Sequence, residues 1–312
     1  MDDARFDVVV IGDVNPDLVL ADDSLSVEFD QHEAIVERGV LTLGGSSAIT
    51  ACGAARLGLR TALAGVIGDD LFGHWCRGQL ASYGVDTTLL VVDPGVHTAI
   101  TVILQRRDDR AIVSTNASHA SLGLAHLDLD VLRRARHVHV GSYFLLDTLR
   151  PDLPTLLADV RSHGTTTSLD TNFDPAGGWD VDGVLDHCDI FLPNEAEARR
   201  FGRSDVLDDA VAALVTRVGV VAVTLGAAGA LVASRNFCRR EPAPVLDGDV
   251  VDAVGAGDTF DAGFIAGHLL GLGPDRSLQL ALGAAALSVR GQGGVDRQGT
   301  LDEAMAAGGV EP

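Results

Sequence analysis

The chain has 312 residues, a net charge of −21 and an isoelectric point of about 4.6, and its 23 basic residues are all arginine because lysine is absent. Such an acidic surface repels nucleic acid and anionic lipid, which argues against both as partners, and the missing lysine excludes a GxxxxGK[ST] phosphate loop. Four cysteines without a CxxC pair, an N-terminus without a basic-then-apolar leader and no apolar run of ~20 residues predict a cytoplasmic chain with no disulfides and no membrane span.

Phe6–Ile11 opens as a continuous apolar run, the pattern of a strand covered on both faces. Residues 18–43 follow with short strand-like pieces and no helical period. Ala48–Leu57 reads as a helix, Ala62–Ile67 as a second buried strand and Phe72–Tyr83 as a helix. Residues 96–114 read as two alternating strands, Thr98–Gln105 and Ala111–Ser114, around the polar turn RRDDR. Strands are then predicted at Val138–Val140, Thr166–Leu169, Ile190–Leu192 and Val220–Leu225, and helices at Asp152–Ser162, Glu195–Phe201, Asp205–Arg217, Ala256–Leu270 and Ser277–Val289. This alternation predicts an α/β fold with a mostly parallel central sheet and helices on both faces. The two stretches that break the rhythm, about 18–43 and 96–114, predict a small β-sheet lid. No linker or repeat interrupts the chain, so 1–312 reads as a single domain.

Among the motifs, DAVGAGDTFDAGFI (252–265) is the most informative. Glycines before a helix leave backbone N–H groups bare at its positive end, where anions collect. Asp258 falls in the first turn beside them. A carboxylate next to an anion hole suits phosphoryl transfer to an alcohol: the carboxylate takes the hydroxyl proton and the amides hold the phosphoryl group. The dipole is expected to keep Asp258 ionised. The plain alternative is an acidic residue stabilising a helix start.

Asn194 and Glu197 in PNEAE have capping-box spacing. They also follow a strand end, where α/β sheets bind ligands. Thr224, Gly226 and Gly229 form a strand–glycine turn suited to nucleotide phosphates or to an ordinary hairpin. Gly44 and Gly45 precede a helix, allowing close ligand approach, a hinge or a simple turn. Asn15 and Asp17, in GDVNPD, read as a polar turn or as groups for substrate hydroxyls. His137 and His139 share one strand face and read as packed histidines.

Six segments in this order resemble the PfkB carbohydrate kinase family, which includes ribokinase, fructokinase, 2-keto-3-deoxygluconate kinase and adenosine kinase. They are Gly44 to Gly58, VIGDDLFG (66–73), DTNFDP, PNEAE, VTLGAAG and DAVGAGDTFDAGF. The resemblance implies a ribokinase-like domain with a β lid that transfers the γ-phosphoryl of MgATP to a hydroxyl of a sugar, sugar acid or nucleoside. It implies Asp258 as catalytic base, Gly255, Ala256 and Gly257 as anion hole, and Asn194, Thr224, Gly226 and Gly229 at the nucleotide. It also implies Glu197 at Mg2+ through water, Asn15, Asp17, Gly44 and Gly45 at the acceptor, Asp252 near a K+ site, and a homodimer formed through the lid. The chain departs from the family pattern at Ile49, where Asn is usual, at Ala253 for Thr, at Asp174 for Arg and at Ser46 for a basic residue. These changes bear on the acceptor more than on the chemistry; Ile49 is expected near the acceptor, or under a nucleoside base. A non-catalytic sugar-binding relative is the remaining alternative.

Overall fold

The computed structural model describes residues 6–106, 109–181 and 183–311. Its strands are β1 (Val8–Ile11), β2 (Asn15–Ala21), β3 (Arg38–Gly44), β4 (Thr61–Gly68), β5 (Leu90–Asp93), β6 (Thr101–Arg106), β7 (Asp109–Ser114), β8 (His137–Val140), β9 (Thr166–Leu169), β10 (Ile190–Phe191), β11 (Val220–Thr224), β12 (Ala230–Ser234) and β13 (Phe237–Glu241). The helices are α1 (Ser46–Arg56), α2 (Leu71–Ser82), α3 (Ala117–Ser121), α4 (Leu129–Arg134), α5 (Leu153–Ser162), α6 (Glu195–Phe201), α7 (Leu207–Leu214), α8 (Ala256–Leu269), α9 (Gly273–Ser288) and α10 (Leu301–Gly308).

Nine strands form the main sheet in the order β13-β12-β11-β10-β9-β8-β1-β4-β5. Pairing is parallel from β5 to β11 and antiparallel at β12 and β13. The continuous apolar runs are explained by cover on both faces. Val9 and Ile11 join one core with α5, whereas Val8 and Val10 join the other with α1, α8 and α9. The strand ends after β1, β9, β10 and β11 therefore open on one side, where ligands bind in such sheets.

The second sheet has the order β3-β2-β6-β7, with β2 and β6 parallel and the other pairs antiparallel. Its first segment contains two full strands rather than several short pieces. β2 starts at Asn15, so Asn15 and Asp17 lie on a strand, not in a turn. Pro16 is tolerated because β6 pairs with β2 only from Asp17 onward, and a missing N–H matters little where one side is unpaired. β6 begins at Thr101, later than expected, and Arg107 and Asp108 of the polar turn lie outside the described residues.

Helix α7 is shorter than its pattern, and α9 starts earlier, with Pro274 in its first turn, where a missing N–H is harmless. β5, β13, α3, α4 and α10 are additions to the predicted set. His137 bonds Thr166 Oγ1 at 2.8 Å and Ser168 Oγ at 2.7 Å, and His139 bonds the same Ser168 at 2.7 Å. Burial holds both imidazoles below their ordinary pKa, so they pack as neutral rings. Among the described residues no helix is long and apolar enough to cross a membrane.

Candidate active site

The site is organised by the head of α8. Gly255 precedes the helix with φ 74°, a left-handed conformation that suits glycine and turns the chain into the first turn. A side chain at Gly257 would meet nothing within 4 Å, so the backbone of this turn faces open space. Asp258 lies in that turn and Asp261 one turn on, and both are buried. They border a cavity of about 90 Å3 with Gly257, Asp170, Asn172, Leu192, Asn194, Glu197 and Thr224. These come from the ends of β9, β10 and β11, the start of α6 and the first turns of α8.

Four carboxylates meet at this cavity, with no arginine among the lining residues. Asp258 is pushed up to about 7 by burial and then by the charge of Asp13; a hydrogen bond from Ser46 opposes the rise. Burial and then Asp258 raise Asp170 to about 7, and burial and then Asp170 raise Glu197 to about 8. Asp261 is driven well above the carboxylate range by burial, then by Asp170 and Asp258, and its Oδ2 is buried without a hydrogen-bond donor. The helix dipole alone predicted an ionised Asp258. Burial among like charges outweighs it, and Asp258 ionises only near neutral pH.

Asn194 and Glu197 form a true capping box. Asn194 Oδ1 accepts from Glu197 N at 3.0 Å, while the Glu197 oxygens accept from Asn194 N at 3.0 Å and Nδ2 at 2.6 Å. The same pair borders the cavity, so the capping and ligand-facing roles coexist. Thr224 N donates to Pro193 O at 3.1 Å, joining the end of β11 to this turn. Gly226 and Gly229 shape the turn into β12 and do not border the cavity. Asp252 accepts from Val254 N and Gly293 N, both at 3.0 Å, and ties the loop before α8 to the loop after α9.

On the other side of Asp258 stands the small sheet. Asp17 is buried and pushed up to about 7, by burial first, with Asn15 opposing and Asp13 adding to the rise. A Cβ at Gly44 would fall 2.0 Å from Asp17 Oδ1, so only a bare backbone lets Asp17 lie against β3. Gly45 then leads into α1. There Asp13 accepts from Ser46 N at 3.1 Å and Ser47 N at 2.9 Å, capping the helix and fixing Ser46 near Asp258.

Two departures from the family pattern acquire structural reasons. Ile49 is 3% exposed, and its side chain lies where a Cβ on Gly255 or Gly294 would be. It fills the space behind the α8 turn and is unavailable as a floor for a base. Asp174 is buried and accepts from Ala176 N at 2.9 Å and Trp179 N at 2.5 Å, so it folds its own loop.

The pfkB family carbohydrate kinase model matches residues 5–298. The chain belongs to the PfkB family. It is 30% identical over 306 residues to an ATP-dependent ribose-1-phosphate kinase from Halopiger xanaduensis, covering 96% of this chain and 97% of the relative. It is 31% identical over 268 residues to a fructokinase from Klebsiella pneumoniae, covering 80% and 86%. Among solved structures, an E. coli protein assigned as a ribokinase II, in complex with ATP and Mg2+, superposes with a TM-score of 0.83 at 26% identity, covering 96% and 97% of the two chains. An adenosine kinase from Sinorhizobium meliloti superposes with a TM-score of 0.84 at 25% identity, covering 99% and 100%. The ribokinase-like fold and the carbohydrate kinase class follow from these likenesses.

Sequence reasoning did not assign Asp13, Asp170, Asn172 and Asp261 to the site. Three of them had a faint signal: Asp170 directly follows β9, Asp13 stands two residues after β1, and Asp261 is one turn beyond Asp258.

Proposed function

We propose that this PfkB protein transfers the γ-phosphoryl group of ATP to a hydroxyl of a sugar or sugar acid, with Asp258 as the base. The observation that carries this reading is Asp258 on a cavity it borders together with the open backbone of Gly257 at the head of the 14-residue helix α8. A carboxylate that ionises near neutral pH is matched to accepting an alcohol proton. The amides of Gly255, Ala256 and Gly257, at the positive helix end, would hold the transferring phosphoryl oxygens.

The cavity fits a divalent cation: four carboxylates without a counter-cation, one with an orphaned oxygen. Among the described residues no three His, Cys, Asp or Glu side chains are placed to hold an ion by themselves. The ion would therefore be reached from Glu197 through water, as suits Mg2+, which keeps much of its hydration. When bound, MgATP supplies the phosphoryl group and the neutralising charge. Asn194, Thr224, Gly226 and Gly229 would line the nucleotide; Asn15, Asp17, Gly44 and Gly45 would line the acceptor. K+ is the proposed ion beside Asp252, where its activation is tested by replacing K+ with Na+.

The small sheet would act as a lid that excludes water from the transfer. Its outer face carries an apolar row, Leu41, Leu18, Val102 and Val113, in register across all four strands, and Leu18, Leu41 and Val113 are 36%, 43% and 62% exposed. That row supports a homodimer formed through the lids. The four unpaired thiols suit a reducing cytoplasm.

A coupled assay of ATP consumption over ketoses, pentoses, sugar acids and nucleosides tests the reading. Turnover with an acceptor, abolished in Asp258→Asn, is expected. Turnover with none sinks it, and preference for adenosine moves the protein to the nucleoside kinases.

A further inference from the structure

The segment after α9 reaches back into the middle of the molecule at Gln298, which is 6% exposed. Its side-chain Nε2 donates to Ile49 O of α1 at 3.0 Å and to Thr259 Oγ1 of α8 at 3.0 Å. Both amide hydrogens are thereby used, and since a carbonyl only accepts, the end facing the two helices is the nitrogen. Around this bridge the helices stand close: a Cβ on Gly53 would fall 2.9 Å from Ala262 Cβ and 3.1 Å from Gln298 Nε2. Thr50 Oγ1 adds a bond to Asp258 O at 3.2 Å, and Arg56 Nε holds Gln298 O at 3.3 Å.

The bridge lands beside the reacting groups. Thr259 follows Asp258 at the start of α8, and Ile49 fills the space behind the Gly255 turn. Helix α1 begins at Ser46, whose hydrogen bond to the Asp258 carboxylate depends on how the two helix heads are set against each other. Packing alone does not explain an amide at this place. Gln298 Oε1 is buried without a donor, and an unpartnered buried oxygen is destabilising. An apolar side chain of the same length would avoid that penalty. It would strand no partner, because Ile49 O lies inside α1 and has the helical amide four residues on, and the Thr259 hydroxyl can turn to the carbonyl of its own preceding turn.

We propose that Gln298 is a positioning residue for the phosphoryl transfer: its amide holds the first turn of α8 in register with α1 and so fixes Asp258 relative to the acceptor side of the cavity. The inference rests on the kinase reading above and adds to it a residue from the far end of the chain. Gln298 does not border the cavity and acts through Thr259 and Ile49. A small displacement of a base lowers the rate steeply, because proton transfer needs hydrogen-bond reach and alignment. The nucleotide and the acceptor are held by other residues on this reading, so their affinities are spared.

Three variants of the full chain test this. Gln298→Met keeps the length and removes the amide, Thr259→Val removes the acceptor, and Thr259→Ser keeps it. Gln298→Met and Thr259→Val should each lower kcat by roughly 10-fold or more, with KM for ATP and for the acceptor within about threefold and Tm within about 4 °C of wild type. Thr259→Ser should retain the wild-type rate. Hydrogen exchange, read without turnover, should quicken across residues 255–262 in the first two variants and not in Thr259→Ser. A wild-type kcat in Gln298→Met, a loss carried by KM, an equal loss in Thr259→Ser and Thr259→Val, or unchanged exchange overturns the proposal. So does a collapse in Tm that accounts for the lost rate. A wild type that phosphorylates no acceptor defeats the kinase reading instead, and the exchange result then decides the clamp alone.

Discussion

Asp258→Asn should make the protein inactive and more stable at once. In the folded chain the Asp258 carboxyl titrates at about 7, against 3.8 in the open chain. Between those values the unfolded carboxyl is ionised and the folded one is not, so stability falls steadily as pH rises from 3.8 to about 7 and then stays level. At ~1.4 kcal/mol per pH unit, the full penalty at pH 8 is about 4 kcal/mol, shrinking to below ~2 kcal/mol at pH 5. Asparagine has no such titration and nearly the same shape. For a chain of this length the gain corresponds to a Tm increase of roughly 6 °C at pH 8 and much less at pH 5. The same variant should lose ~10²- to 10⁴-fold in kcat, the usual worth of a general base. Wild-type kcat/KM should fall roughly fivefold from pH 7 to pH 6, because the base must be ionised and its pKa is about 7. Melting curves at both pH values and a pH–rate profile check this. An equal or lower Tm for the variant at pH 8, or a wild-type rate that holds level down to pH 5, would refute the account of Asp258.

Glu197→Gln keeps the Asn194 Oδ1 cap on α6 and one of the two bonds back to Asn194, and removes an ionisable group from the cation side of the cavity. The Mg2+ concentration for half-maximal rate should rise ~10- to 100-fold; an unchanged Mg2+ titration would argue that Glu197 only caps the helix. Leu18→Glu puts a charge in the middle of the apolar row outside the lid. Sedimentation should show the wild type as a dimer and this variant as a monomer, and a wild-type monomer would end the dimer proposal. With a net charge of −21, self-repulsion loads the folded state, so Tm should climb by several degrees from 0.1 to 1 M KCl; a flat response would show that the arginine ion pairs already balance the surface.

Much of this architecture is written in periodicity. Runs such as Phe6–Ile11 and Val220–Leu225 show no polar alternation because both sheet faces are covered, and that pattern alone separates a parallel sheet from a half-exposed one. β5, with four residues, and α10, with eight and a Thr300–Glu303 capping box, escaped the sequence reading although β8, β9 and α6 are as short and were predicted. GAGD was legible because glycines before an apolar helix and an acidic first turn are local features. Asp13, Asp170 and Asp261 were not, because their value comes from meeting in space after 250 residues of chain have been wound. The ionisation of Asp258 was misjudged for a related reason. A helix dipole contributes ~0.3–1 kcal/mol, whereas burial among carboxylates shifts the balance by about 4 kcal/mol in the opposite direction.

The absence of lysine and the crowding of acids bear on one another. A single arginine reaching the cavity would relieve most of the repulsion among Asp170, Glu197, Asp258 and Asp261, and the chain has 23 arginines to draw on. None lines the cavity; those around the body are engaged elsewhere, as in Arg60 with Asp7 and Arg161 with Asp189. A resident cation would hold Asp258 ionised, but it would also occupy the place of the metal and weaken the base by stabilising its charge. Leaving the carboxylates uncompensated keeps Asp258 titrating near neutral pH in the ligand-free protein, and on the proposed kinase reading a divalent cation would relieve the repulsion. On that reading the repulsion built into the ligand-free protein favours the incoming Mg2+, and a substitution that lowers it should weaken Mg2+ binding.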